Sequence, residues 1–376
     1  MENAEYINAF RFGFGLNASR NERFDPVSEL GRDLGDGSAA MAEMAKTLAD
    51  HVTASTAVID LRRQKKVDEA QQEKRRLAMT SRRLDIEQNH QRLVDSVNTD
   101  TPFLRRLAAF WINHFTVSRL RPIIKPVVGY YEPAIILPNL LGNFADLLIA
   151  AELFPAMVHY LNLQTSFGPN SVQGKKSGRG INENLGREIL ELHTLGADGG
   201  YTQADVTALA MIMTGWTVAM DKGRTVFAPR RAEPGPKTLL GRTFSGESTQ
   251  NGKKSQFHEA LRMLATHPST AKNIGRKLAL HFIGPGSDAE AAKIAAVFVA
   301  NNGELKPVYE TLLDAADGKP FGLQMRNDQQ FIISALRAPA RQLAANAGLE
   351  GDVIVETILE KKGAYGYDVR AGEFTD

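Results

Sequence analysis

The stretch NENLGREILELHTL, residues 182–195, sets three glutamates, an arginine and a histidine within three helical turns. At about 100° per residue, Glu183, Asn184, Arg187, Glu188 and Glu191 share one arc, and Leu185, Ile189 and Leu192 fill the opposite side. Two carboxylates one above the other repel unless a cation or a proton stands between them. That pattern suits a general base or a ligand for a divalent metal: Glu188 or Glu191 in that role, Arg187 orienting or neutralising. His114 supplies the fourth member. In TPFLRRLAAFWINHFTVS (101–118) it follows Phe103, Leu107 and Phe110 on one helical stripe, so it is expected to face inward. It is then either a core histidine bonded to backbone, or an acid/base or second metal ligand beside Glu188 and Glu191. Glu183, Asn184, His193, Asp198 and the Trp216 indole are further candidates. The competing reading is structural. Glu183–Arg187 and Arg187–Glu191 are i,i+4 pairs, worth only a few tenths of a kcal/mol each when exposed, and a covered version would be a buried charge network. The two readings part on whether neighbours roof this face.

The elements that must position these residues read as mainly helical. One domain, 1–376, is expected: a multi-helical fold with a small β-hairpin arm at about 216–245, extending to 250 with its turns. Residues 56–98 lack Gly and Pro and are dense in Arg, Lys, Glu and Gln, all good helix formers. They predict a long projecting helix, or a hairpin breaking near Thr80-Ser81. Met79, Ile86 and Leu93 recur at heptad spacing, but basic residues occupy many seam positions, against a full coiled coil. Thr101 and Pro102 read as N-cap and first turn of the helix carrying His114. The stretch SFGPNSVQGKKSGRG (166–180) reads as a mobile loop or lid. Gly196 reads as a helix stop, Asp198-Gly199-Gly200 as a turn, and TQAD (202–205) as a capping box. A calcium loop fits the same residues badly, because Thr194 and Gly196 would be ligands. Ser269 or Thr270 is expected to cap the helix after HPST, and a further helix is expected over 327–346. FRFGFGLN (10–17) is a tight turn rather than a nucleotide loop, since no strand precedes it.

Composition excludes several classes. The chain has 376 residues, no cysteine and a net charge of +2. Disulfides, thiolate catalysis and cysteine-bound zinc are out, and no global field selects nucleic acid. No apolar run is long enough to cross a bilayer. HExxH, GxSxG and GxxxxGK[ST] are absent. The start, MENAEYINAFRFGFG, lacks a signal peptide's apolar segment, which gives a cytoplasmic expectation by default.

Several blocks together resemble one bacterial family, domain of unknown function 1800: FRFGFG, LRRLAAFWINHFTVS, NENLGREILELHTLGADGGYTQADVTALAMIMTGWTV, GPKTLLGRTF and HPSTAKNIGRKLALHFI, in that order over most of 7–340. The resemblance implies no activity or ligand. It does imply export for many members, against the cytoplasmic default. Similar sequences often carry His before the EPG turn, where this chain has Ala232, and continue past a point corresponding to GAYGYDVRAGEFTD, which suggests a short or truncated member. Two functions remain open from the sequence. One is a hydrolase-type enzyme, with or without a divalent metal, built on Glu188, Glu191, Arg187 and His114. The other is a non-catalytic envelope or assembly protein in which the cluster is structural and helix 56–98 meets a protein partner.

Overall fold

The computed structural model describes residues 3–14, 24–245, 250–317, 366–368 and 373–375. The chain divides into two units, Met1–Asp317 and Gly318–Asp376. In the second unit a single antiparallel pair is described, β5 (Gly366–Asp368) with β6 (Glu373–Thr375), Tyr367 opposite Phe374. The helix expected at 327–346 and Gly15 of the first turn lie outside the described residues.

The first unit is mainly α, as its periodicities predict. Its helices are α1 (Asn3–Arg11), α2 (Pro26–Glu29), α3 (Ser38–Arg63), α4 (Val67–Asn98) and α5 (Pro102–His114). A 3-10 turn (Lys125–Tyr130) and a π turn (Glu132–Ile136) lead to α6 (Leu137–Asn139), α7 (Phe144–Glu152), α8 (Pro155–Tyr160) and α9 (Val172–Ser177). Next come α10 (Asn184–Glu188), which runs on as a π turn (Ile189–His193), and α11 (Gln203–Met213). The arm follows, as β1 (Trp216–Ala219) with β2 (Arg224–Phe227) and β3 (Lys237–Leu239) with β4 (Arg242–Phe244), both antiparallel. The unit closes with α12 (Gln250–Ala265), α13 (Pro268–Phe282), α14 (Asp288–Ala300) and α15 (Leu305–Ala316).

The charged segment is a helical hairpin, but its break is displaced from the expected Thr80-Ser81. The chain turns at Gln64–Lys66, with Lys65 in the left-handed region (φ 61°). Helix α4 runs unbroken through Ser81, whose hydroxyl donates back to the Leu77 carbonyl (2.9 Å) and lies 3.3 Å from His51 Nδ1 on α3. The last turns of α4 are tied down. Gln88 Nε2 donates to the Pro126 carbonyl and its Oε1 accepts from Gly129 N. Buried Glu132 sits between Arg92 Nε (2.8 Å) and Arg105 Nη1 (3.0 Å), joining α4 to α5.

Helix α5 is the axis of the core. Phe103, Leu107, Phe110, Trp111 and His114 are all buried, as the apolar stripe requires. Phe103 packs with Phe12 and Phe282, and Trp111 with Phe115 and Phe144. The Trp111 indole donates to Tyr309 Oη (2.6 Å), which passes its own proton to the Leu140 carbonyl. Thr101 holds the N-cap position without making a side-chain cap. Glu29 does that work from α2: its carboxylate accepts from Phe103 N and Leu104 N. At α13 the cap is His267, not Ser269 or Thr270; its Nδ1 accepts from Ser269 N.

The stretch 166–180, expected as a mobile loop, contains α9 and is knit into its surroundings. Ser171 caps α9, Gly168 N donates to the Arg231 carbonyl, and Gln173 N donates to the Arg230 carbonyl. The Arg231 and Arg179 guanidinium groups stand over the Phe167 ring at 4.5 and 5.3 Å. The arm's second hairpin turns on Leu240 and Gly241, both at positive φ, a two-residue turn matched to strand twist. Gly223 closes the first at φ 57°, against the Ala45 backbone of α3, where any Cβ would lie 2.0 Å from a carbonyl oxygen.

Candidate functional site

The stretch 182–195 does not form one straight α-helix. After Glu188 the backbone widens into a π turn, Ile189–His193. An extra residue per turn rotates everything downstream, a geometry that recurs at functional positions. The arc expected for Glu183, Asn184, Arg187, Glu188 and Glu191 is thereby split, and two separate networks form.

The first holds the entry of α10. The Glu183 carboxylate accepts from Thr207 Oγ1 (2.7 Å), Gln203 Nε2 (2.9 Å) and Arg187 Nη2 (3.2 Å). These donors, Thr207 and Gln203 chief among them, hold its pKa below the usual carboxylate value. The α10–α11 seam is closed by Gly186, where an added Cβ would lie 3.2 Å from Ala210 N. The expected capping box is present: Thr202 Oγ1 accepts from Asp205 N and Asp205 accepts from Thr202 N. The second Asp205 oxygen accepts from Leu240 N (2.7 Å), fastening the β3–β4 turn.

The second network holds the exit. A helix leaves its last carbonyls without intrahelical partners. Here each of several is met by a side chain. Thr194 Oγ1 donates to the Ile189 carbonyl (2.6 Å) and Lys277 Nζ to the Leu192 carbonyl (2.8 Å). His114 Nε2 contacts the His193 carbonyl (3.1 Å), and Asn273 Nδ2 donates to the Thr194 carbonyl (2.8 Å). Gly196, at φ 88°, then takes the chain away. Lys277 Nζ also lies 3.3 Å from His114 Nδ1. An ammonium has no lone pair to offer, so His114 accepts at Nδ1 and donates its Nε2 proton to the carbonyl. Burial, then the nearby charge of Lys277, then His193 push the His114 pKa well below the ordinary imidazole value. His193 turns into the core, where its Nδ1 lies 2.7 Å from Glu152 Oε1. Glu152 is completely buried.

The expected site residues thus fall into different places. His114 joins His193 and Lys277, and its hydrogen bonds go to neither Glu188 nor Glu191. Those two glutamates are half-buried on the flank; burial and then the Glu191 carboxylate raise the Tyr201 phenol above its ordinary pKa. Asn184 and Asp198 are exposed. Trp216 is buried among Phe227, Phe257 and His258, and its Nε1 bonds to none of the described residues. Among the described residues no group of three or more His, Asp or Glu side chains is placed to hold a metal ion, so the set Glu188, Glu191 and His114 is not assembled there. The Ala232 side chain is buried beside Gly215. The next residue, Glu233, accepts from Asn170 N and Nδ2 and donates its own N–H to Thr214 Oγ1.

Glu152, Lys277 and Asn273 were not singled out by the sequence patterns, and Thr194 was weighed only as a poor calcium-loop ligand. Glu152 carried a signal, an acid inside the apolar run LLIAAELF, since a carboxylate at such a position needs a partner. Lys277 carried none, because lysines on amphipathic helices are common. Two cavities adjoin other elements. One of about 290 Å³ is lined by Arg92, Asn113, Arg119, Tyr131 and Glu132 among others. One of about 240 Å³ lies in the α3–α4 hairpin beside His51 and Arg76. Neither is lined by residues 182–195. No helix among the described residues is long and apolar enough to cross a membrane.

No solved structure matches this chain. A family model does, over residues 9–365, and it is described as a protein of unknown function, DUF1800. The match takes in both capping networks and nearly the whole sequence: the chain belongs to the DUF1800 family.

Proposed function

We propose that this protein is a non-catalytic interaction or assembly protein, in which the 182–195 cluster is a structural charge network and the α3–α4 hairpin carries the partner surface. The observation that carries the reading is the occupation of His114. Both ring nitrogens are engaged, Nδ1 by Lys277 and Nε2 by the His193 carbonyl, so no lone pair or proton is left for a substrate. Lys277, Asn273 and Thr194 act the same way on neighbouring carbonyls. A network satisfied at each of these positions fixes register and orientation. A hydrolase built on the same residues would need His114 released and a cavity beside Glu188 and Glu191.

Support for the second half comes from the outer face of α4, where Met79, Ile86, Leu93 and Val97 are 57–73% exposed. Met79, Ile86 and Leu93 recur every two helical turns along one stripe of α4, with Arg82, Arg83 and His90 between them, and that repeated apolar stripe is what supports a contact face here. The test is site-specific photo-crosslinking in cells that express the full chain. A crosslinker at position 86 or 93 is expected to give one adduct identified by mass spectrometry, lost in Met79→Asp, and a crosslinker at exposed Leu280 is expected to give none. Absence of an adduct at 86 and 93, or the same adduct at 280, overturns the reading. So does full stability of a His114→Ala/Lys277→Ala double variant.

A further inference from the structure

Resting on that reading, we infer that the partner of α4 is an amphipathic helix whose apolar ridge is flanked by carboxylates, lying along the row Met79–Ile86–Leu93–Val97. The row is narrow. At about 100° per residue, the four side chains fall within about 40° of one another, and from 79 to 97 they extend about 27 Å. All four are exposed. Two files of basic side chains border them at the same heptad spacing, Arg75 and Arg82 on one side and Arg76, Arg83 and His90 on the other, all exposed. Arg76 pairs with Glu73 and Arg83 with Glu87 within α4. Arg75 and Arg82 have no carboxylate within ion-pair distance among the described residues.

Three occupants compete for such a face. A membrane surface favours a broad apolar face that sinks into the headgroup boundary, and a single file walled by guanidinium groups is too narrow for that. A second copy meets a charge conflict. An antiparallel pair centred on Ile86 sets Arg82 opposite His90, Arg83 opposite Asn89 and Arg75 opposite Val97, and a parallel pair sets each Arg against itself. In either pairing the acid nearest the Arg files is Glu87, which already pairs with Arg83 within its own helix, so the two files keep a surplus of positive charge against each other. A helix with Leu or Ile at its seam and Glu or Asp beside it satisfies both the apolar row and the two arginine files, as flanking charges do in helix pairing. Complementary charge there also selects the partner.

The experiment uses the full chain and two synthetic helical peptides of about four heptads, monomeric at the working concentration. Both carry Leu at the seam; one has Glu at the flanking positions, the other Lys. Fluorescence anisotropy at low salt is expected to show the Glu peptide binding at least about tenfold more tightly. Arg75→Glu/Arg82→Glu should reverse that order, and Ile86→Asp/Leu93→Asp should abolish binding with an unchanged melting temperature. Equal binding of the peptides, binding of neither, or capture by phosphatidylglycerol vesicles in place of the Glu peptide overturns the inference. So does a dimer in sedimentation that Ile86→Asp dissolves, which would make the occupant a second copy. Should crosslinking at position 86 succeed while the Glu peptide shows no preference, the interaction reading stands and the acidic partner falls. Should both fail, the hairpin is no docking surface.

Discussion

His193 Nδ1 lies 2.7 Å from Glu152 Oε1, and the pair is buried between α7 and the π turn. The carboxylate fixes the imidazole's orientation, and the His193 carbonyl receives the His114 proton. Removing one member of a buried hydrogen-bonded pair strands the other, at about 3 kcal/mol or more. Glu152→Ala is expected to lose about that much in urea unfolding. Glu152→Gln, which keeps an acceptor, should lose about 1 kcal/mol. Equal losses from both would show that the acceptor is irrelevant and only the packing matters.

Stability should fall below about pH 6.5, the ordinary imidazole pKa. Burial, with Lys277 and His193 behind it, lowers the His114 pKa. Burial lowers His51 as well, and burial with Arg121 lowers His159. Each imidazole is therefore neutral in the fold at pH values where the unfolded chain has begun to take up protons. Stability is full above the unfolded pKa and declines as pH drops through it toward the folded values. Urea midpoints between about pH 7.5 and 5 measure the slope, with the reference value setting the window. His114→Gln, which can still donate to the His193 carbonyl, should flatten the slope; a curve parallel to the parent's would remove His114 from this account.

The helical class, the capping box, the inward His114 and the heptad spacing of Met79, Ile86 and Leu93 were all legible in the sequence, because each follows from local periodicity or local hydrogen bonding; that the three are exposed was not. Less legible was anything decided at long range. A π turn has no composition of its own, so the single arc drawn from Glu183 to Glu191 could not anticipate the rotation that sends His193 to Glu152. Glu29 displaces Thr101 as the working cap because α2 reaches α5 across more than seventy residues of chain. Lys65 turns the hairpin though Thr80-Ser81 offers the weaker helix formers: α3 and α4 pack along their length, and a break at Ser81 would give up the contact with His51.

Gly186 should tolerate no larger side chain. It faces the backbone of α11, and an added Cβ would lie 3.2 Å from Ala210 N and 3.4 Å from the Val206 carbonyl. Backbone cannot rotate aside as a side chain does, so α10 and α11 would be forced apart. Overpacking of this kind costs about 1–3 kcal/mol. Gly186→Val is expected at the upper end and Gly186→Ala at the lower, with the Glu183 contacts to Gln203 and Thr207 weakened in step. Ala matching the parent in thermal melts would mean that the seam is looser than its geometry indicates.

The α5 cap gives the sharpest contrast between neighbouring predictions. Glu29 Oε2 takes two backbone N–H groups at 2.9 and 3.1 Å, and it is buried. A carboxylate at a helix N-terminus also meets the positive end of the helix dipole. Thr101, at the N-cap position, makes no side-chain cap, although its backbone N–H donates to Thr99. Caps are worth about 1–2 kcal/mol. Glu29→Ala should therefore destabilise by about 2 kcal/mol, because it leaves two buried donors unmet, and Thr101→Ala by about 0.5–1 kcal/mol, since it loses only the hydroxyl contact with Thr99 Oγ1 (3.1 Å). A reversed order in equilibrium unfolding would return the cap to Thr101, and with it the local reading of TPF.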